Sequence, residues 1–275
     1  MKRTKTIGIA CCVWFSATTL LGQSASPDRV SVPLRDPSSP GTVKVSVVSG
    51  GIEVKGYDGK EVIVEARARS KKSQGKTEEK TEGLKRIEAA ATGLSVEEEN
   101  NIVTIGTGSS DRAIDLTIQV PFITSLTLRC QNDGDIVVEK VVGEIEANNL
   151  NGAVTLTNVE GVVVAHSLNR KVLVQLSKVT PDKPMSFSSM NGDIDVTLPA
   201  EIKANVKLET QDGRIESDFE IGLTPRKPTL EDDRKGGGKY RIVFDKGVVG
   251  TINGGGAEIL FKTVTGKIYI RKGAK

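Results

Sequence analysis

Apolar and polar residues between Asp133 and Gln175 follow a rhythm of nine. Glycine recurs at Gly134, Gly143, Gly152 and Gly161, and Arg170 takes the next slot. Written from that slot the blocks read GDIVVEKVV, GEIEANNLN, GAVTLTNVE, GVVVAHSLN and RKVLVQLSK. Two residues after the slot stand Ile136, Ile145, Val154, Val163 and Val172; four residues after it stand Val138, Ala147, Leu156, Ala165 and Val174. The seventh position is also apolar, at Val141, Leu150, Val159 and Leu168. Alternation within a block has the period of a strand, and the glycine, often preceded by Asn or Asp, suits a tight turn that needs positive φ. Each block is therefore expected to be one strand and one turn. A short fixed repeat with aliphatic inward positions buries its face only against neighbouring copies, which predicts a single elongated all-β solenoid of about nine residues per strand-turn unit.

The same alternation extends outward from this centre. Thr42–Arg67 reads as strands around turns at Gly50-Gly51 and Asp58-Gly59, and is expected to form the first coil. Further strands are predicted at Leu94–Val96, Asn101–Ile105 and Ile114–Val120, and again around Ile194–Leu198 and Val206–Thr210. Thr251–Phe261 and Thr263–Arg271 are expected to close the stack. Ser70–Glu82 is wholly polar and predicts an exposed loop, whereas Leu84–Ala91 (LKRIEAAA) carries good helix formers and the stripe Leu84, Ile87, Ala91, which predicts one short covering helix. Thr224–Lys239, with its prolines and Gly236-Gly237-Gly238, reads as an excursion.

The N-terminus changes the charge balance. Lys2, Arg3 and Lys5 precede an apolar run from Ile7 to Leu21 and the small residues Gly22, Ser24 and Ala25, the pattern of a secretory signal peptide over residues 1–25. A linker over 26–41 and a solenoid domain over 42–275 follow. The run is shorter than the ~20 residues of a membrane span. Of 38 Lys and Arg, three leave with the leader, so the mature chain sets 35 cations against 35 Asp and Glu. Net charge therefore does not point to nucleic acid, and export to the periplasm or cell surface without a stable transmembrane anchor is expected. Cys11 and Cys12 also leave, so Cys130 is the one remaining cysteine; its alternation with Leu126 and Leu128 turns the thiol inward.

Candidate chemistry is sparse. Asp133 and Asp212 precede turn glycines, where Asp bonds the local backbone; Asp135, Asp193, Asp195 and Asp218 are carboxylates that a polysaccharide-acting enzyme could use in pairs. His166, the sole histidine, sits in a row with Glu139, Asn148, Thr157 and Gln175 that is expected to face solvent. No His pair, Gly-x-Ser-x-Gly or phosphate-binding Gly-Lys-Ser/Thr motif occurs, so no catalytic residue, metal or cofactor is expected. If two blocks make one coil, Val137, Thr155 and Leu173 stack on one outward sheet and Glu146 and Val164 on the other. The first row is the candidate binding face, either covered by the 84–91 helix or open to a partner.

The segments LTIQVPFITSLTLRCQNDGDIVV, SSMNGDIDVTLP, LETQDGRIESDFEI and INGGGAEILFKTVTGKIYIRK together resemble a family of bacterial exported domains of unknown function labelled "putative adhesin", related to head-GIN adhesin-like domains. The resemblance runs from about Val43 to Arg271 and departs from the family pattern at Asn169-Arg170, where arginine replaces glycine. It implies a non-enzymatic envelope or surface protein that binds a protein or a glycan through a regular β face. The alternative is a carbohydrate-active enzyme, a lyase or hydrolase, on a β-helix.

Overall fold

The computed structural model describes residues 27–69, 92–108, 112–225, 229–232, 240–243 and 247–274. The expected leader and the expected helix at Leu84–Ala91 lie outside these residues. In chain order the first strands are β1 (Asp28–Pro33), β2 (Gly41–Ser49), β3 (Ile52–Tyr57), β4 (Glu61–Ala68), β5 (Leu94–Glu99), β6 (Ile102–Thr107) and β7 (Ile114–Pro121). The middle of the chain contributes β8 (Thr124–Asn132), β9 (Ile136–Glu139), β10 (Val142–Asn149), β11 (Val154–Ser167), β12 (Val172–Val179), β13 (Met185–Ser189) and β14 (Ile194–Leu198). Beyond these lie β15 (Ala204–Glu209), β16 (Ile215–Ser217), β17 (Gly222–Leu223), β18 (Thr229–Asp232), β19 (Tyr240–Val243), β20 (Val248–Ile252), β21 (Ala257–Lys262) and β22 (Ile268–Lys272). Among the described residues there is no helix. Twenty strands form one nearly closed, barrel-like sheet, and β18, in the expected excursion, pairs in a separate sheet with β19, just beyond it.

The strands are rich in Val, Ile and Thr, whose branched side chains pack well on a pleated surface, and they alternate buried with part-exposed positions. Register follows from the same alternation, because a slip of one residue would turn every aliphatic side chain outward. Ile136 pairs with Val154 and Val154 with Val172, while Ile145 pairs with Val163, so partners are eighteen residues apart. Alternate nonapeptide blocks therefore stack. β11 is long enough to serve two ladders: its first residues pair with β9 and β12, its last with β10 and β13, and it turns between them at Asn158, whose φ is 52°.

One ladder runs β6-β2-β8-β10-β11-β13-β21-β15, all parallel, and the other runs β7-β3-β9-β11-β12-β14-β22-β16. Spatial order departs from chain order at both ends. The first unit, β2 and β3, lies inside β6 and β7. The last unit, β21 and β22, is threaded between β13/β14 and β15/β16, so Thr251–Arg271 does not close the stack as expected. A parallel strand has two bare edges, and threading a chain end between two layers pairs both. The outer edges are instead met by antiparallel strands, with β1 on β4 on β7, β5 on β6, and β17 on β20 on β15. The outermost strands are short or charged: β17 has two residues and β5 ends in Glu97-Glu98-Glu99, both features that discourage edge-to-edge association. Residues 26–41, expected as linker, supply β1 and the core residue Leu34.

All positions expected inward two and four residues after the glycine slot are buried. The core is aliphatic, with Phe187 and Phe261 tilted against each other at 5.3 Å between centroids. The seventh position behaves differently from expectation. Val141 and Val159 are 0% exposed, whereas Leu150 is 44% exposed and Leu168 part-exposed. With two blocks to a circuit, consecutive seventh positions fall at opposite corners, and the chain turns inward at one and outward at the other.

Candidate functional site

The outward corner is held by a relay of polar groups. At the end of each strand a buried Asn, Ser or Thr faces two ways. Asn149 accepts the Gly152 N–H on Oδ1 (2.8 Å) and donates to the Gly134 carbonyl (3.0 Å). Ser167 accepts from Arg170 N–H (3.1 Å) and donates to Gly152 O (2.8 Å); Ser189 accepts from Gly192 N–H (2.9 Å) and donates to Arg170 O (2.9 Å). Thr263 continues the relay to Gly266 N–H and Gly192 O. Cys130 holds the equivalent place, its thiol donating to Gly50 O at 3.0 Å, and burial pushes that thiol up to about 11. Each turn is thus satisfied by the next, as buried backbone groups require.

Of the four recurring glycines, Gly143 and Gly161 have the expected positive φ, whereas Gly134 and Gly152 at the outward corner do not. Gly152 has no positive φ; a Cβ there would lie 1.9 Å from Gly134 O, so glycine is needed for the close approach of stacked turns. Positive φ occurs at both corners, at the inward one in Gly161 (118°), Lys140 (57°) and Asn158 (52°) and at the outward one in Gly50 (126°) and Asp133 (61°). Arg170 stands in the outward slot with the hydrogen bonding of its turn unchanged.

Two rows decorate the outside of this corner. Asn151 donates to Asn132 (2.7 Å), Asn169 to Asn151 (2.7 Å) and Asn191 to Asn169 (2.9 Å), a chain of side-chain amides running along the stack. One residue earlier in each turn come Leu150, Leu168, Met190 and Val264, stacked by Met190 N–H to Leu168 O (3.1 Å) and Val264 N–H to Met190 O (3.2 Å). Leu150 and Met190 are 44% and 47% exposed. The amide chain lines a shallow groove of about 960 Å³ with Arg69, Asp133, Asp135, Arg170, Lys171 and Asp193 on its walls. The sequence signal for this site was the Asn that recurs before the turn slot.

The carboxylates singled out in the sequence are mostly engaged in holding the fold. Asp135 accepts the Ala153 N–H (2.7 Å), Asp193 the Lys267 N–H (2.8 Å) and Asp218 the Lys272 N–H (3.2 Å). Asp133, at φ 61°, accepts from the Ser49 hydroxyl (2.7 Å), and Asp195 takes a two-pronged bond from Arg271 (2.8 and 3.0 Å). Asp212 is exposed beside its turn. Arg69 clasps Asp115 with two bonds of 2.6 Å, which holds the guanidinium pKa above its ordinary value, and reaches the Asp133 carbonyl. Among the described residues no three His, Cys, Asp or Glu side chains gather as a metal site. His166 is half-buried and bonded through Nδ1 to the Ser188 hydroxyl at 2.8 Å; burial lowers its pKa. No acidic side chain among the described residues bonds its other nitrogen.

Val137, Thr155 and Leu173 are brought into one row, Thr155 paired with both of the others, and each is half-buried. Glu53 flanks the row on one side and Asp195 on the other. Glu146 and Val164 pair on the second ladder; Val164 is exposed and Glu146 sits 3.8 Å from Arg129. At the inward corner the long connection from β12 to β13 opens a second recess of about 510 Å³, lined by Val179, Pro181, Met185, Ile202 and Ile259. No described helix is long and apolar enough to cross a membrane.

No family model matches the chain, and no curated protein matches it. Two solved structures are similar in outline. One is a putative cell adhesion protein from Clostridium sporogenes, 10% identical, covering 90% of this chain and 100% of its own, with a TM-score of 0.36. The other is a putative adhesin from Bacteroides fragilis, 12% identical, covering 90% of this chain and 98% of its own, with a TM-score of 0.32. Neither likeness is deep enough to carry a fold family or a ligand over to this chain.

Proposed function

We propose that this chain is an exported, adhesin-like envelope protein that binds a glycan without transforming it, and that its parallel ladders wind as a solenoid presenting the binding corner. The observation that carries this reading is the amide chain Asn132-Asn151-Asn169-Asn191 beside the stripe of exposed Leu150 and Met190 and part-exposed Leu168 and Val264. Amides offer both donors and acceptors, as sugar hydroxyls do, and an aliphatic strip suits the C–H faces of sugar rings. Turns locked to one another by the buried relay keep the array rigid, which lowers the ordering cost of binding. The backbone and Ser49 engagement of Asp133, Asp135 and Asp193 favours this over the glycosidase alternative, since those carboxylates hold the fold. The test is a glycan array probed with the purified mature chain and with Asn151→Ala/Asn169→Ala. Binding by the first and loss in the second, at unchanged melting temperature, supports the reading; no retained glycan, or equal binding by both, overturns it.

A second reading rests on the Val137-Thr155-Leu173 row, which is apolar at its centre and bounded by Glu53 and the Asp195–Arg271 pair. That row would serve a protein partner, and Val137→Lys/Leu173→Lys tests it. Loss of envelope-protein capture at unchanged stability supports it, and unchanged capture overturns it.

A further inference from the structure

The outward corner is not electrically even. Its first turns carry Asp133 and Asp135, while the later ones carry Arg170, Lys171, Lys267 and Arg214, all exposed. These four are on one corner because their layers are stacked in order: Val172 N–H bonds Asp193 O, Ile194 N–H bonds Lys267 O, and Ile268 N–H bonds Arg214 O, each 2.8–2.9 Å. None of the four makes an ion pair with a described residue. The carboxylates among them are Asp193, already accepting the Lys267 N–H, and Asp212. In a chain that is formally neutral once the leader is removed, four cations against two carboxylates at this end of the corner make a local positive excess that marks a binding field. Arg170 is the most telling of them, because it occupies a slot held by glycine in the layers on either side, Gly152 and Gly192, and its guanidinium has no hydrogen-bond partner among the described residues.

We infer that this half of the groove recognises a carboxylate-bearing glycan, a polymer containing uronic acid units, with Arg170 as the residue that determines specificity. The inference rests on the glycan reading above. A guanidinium presents a planar fork that matches a carboxylate in two parallel hydrogen bonds, and Lys171 in the same turn and Lys267 two layers on, beyond the Asp193 layer, add point charges. Layers are about 4.8 Å apart, so a chain laid along the stack meets Arg170 and Lys171, then Lys267 about 10 Å further on and Arg214 in the layer after that. The amide chain Asn151-Asn169-Asn191 runs beside them to take the hydroxyl groups of the same chain. An acidic peptide has carboxylates too, but peptides are commonly bound as an added strand on an open sheet edge. Here the corner backbone is bonded turn to turn and offers no such edge.

Affinity electrophoresis separates the cases, using polygalacturonate, the same polymer after reduction of its carboxyl groups, neutral dextran and poly-glutamate as immobilised probes. The wild-type chain is expected to be retarded by polygalacturonate at least tenfold more strongly than by its reduced form. Arg170→Gln should lose most of that retardation without change in melting temperature, and Arg170→Lys should recover only part, since it keeps the charge and loses the fork. Equal retardation by reduced and unreduced polymer, or by Arg170→Gln and wild type, overturns the carboxylate specificity while leaving glycan binding in place. Retardation by poly-glutamate equal to that by polygalacturonate overturns the commitment to a glycan. No retardation by any polysaccharide overturns both this inference and the reading on which it rests.

Discussion

The two corners of each circuit solve the same problem in opposite ways. Both must reverse the chain between ladders, and each has one pair of glycines eighteen residues apart, Gly134 and Gly152 at the outward corner and Gly143 and Gly161 at the inward one. At the outward corner the turns press so closely that a Cβ on Gly152 would meet the Gly134 carbonyl, and the exposed ends of the strands are tied by side chains that bridge from one turn to the next. At the inward corner the reversal is made by left-handed residues, Lys140 and Asn158, followed by Val141 and Val159 pointing into the core. One corner is therefore stabilised mainly by hydrogen bonds and the other mainly by apolar burial. Only the first leaves a regular array of side chains outside, which is why the candidate site is there.

The largest effect that can break this comparison comes from equivalent repeat positions. Val159→Asp should unfold or aggregate the protein, because it places an unpaired charge at a site with no solvent exposure, at a cost of several kcal/mol. Leu150→Asp, one block earlier, should cost under about 0.5 kcal/mol. Urea unfolding curves compare them directly, and equal midpoints would mean the corners are not opposite in character.

A smaller effect probes the relay. Ser167→Ala leaves the Gly152 carbonyl and the Arg170 N–H without their buried partner and should cost about 1–3 kcal/mol. Ser177→Ala removes a hydroxyl bond to the Val159 carbonyl near the inward corner, but Ser177 is exposed and water replaces it, so the loss should be within about 0.5 kcal/mol. A relay that is only decorative would show no difference between the two in thermal melting.

The smallest effect is a pH dependence confined to the outward corner. Burial raises the Cys130 thiol from 9.0 to about 11, so its contribution is fully present below pH 9 and is lost as the pH climbs through 11, where the thiol can no longer donate to Gly50 O. Cys130→Ser keeps a donor that does not ionise in this range. The difference in melting temperature between wild type and Cys130→Ser should therefore change between pH 8 and pH 10.5, with wild type losing more. A constant difference would show that the thiol is not part of the relay. The same burial predicts that native Cys130 resists thiol reagents that label the unfolded chain.

Much of the fold is legible in the sequence for a physical reason. Alternation with a period of two dictates which side chains can share a face, so Ile136, Val154 and Val172 could be placed inside without knowing the neighbours, and the strands at Leu94, Ile102 and Ile114 could be found from pattern alone. Cys130 could be turned inward in the same way. The recurrence of nine made stacking of alternate blocks a matter of register, and Val137, Thr155 and Leu173 do share a row. The tertiary structure decided what periodicity does not contain. Leu150 and Val159 are equivalent in the repeat and opposite in burial, because burial at a turn depends on which corner the chain is rounding. The glycine at 152 looks like a φ requirement and is a packing requirement, since the atom that excludes a side chain belongs to a turn eighteen residues away. Asp135 and Asp193 look like free carboxylates until the backbone N–H that each one caps is brought beside it by the next layer. The order of the layers could not be read at all: β2/β3 and β21/β22 are threaded one layer in from each end because bare strand edges seek partners wherever the chain can reach them, and that choice leaves no mark on local sequence.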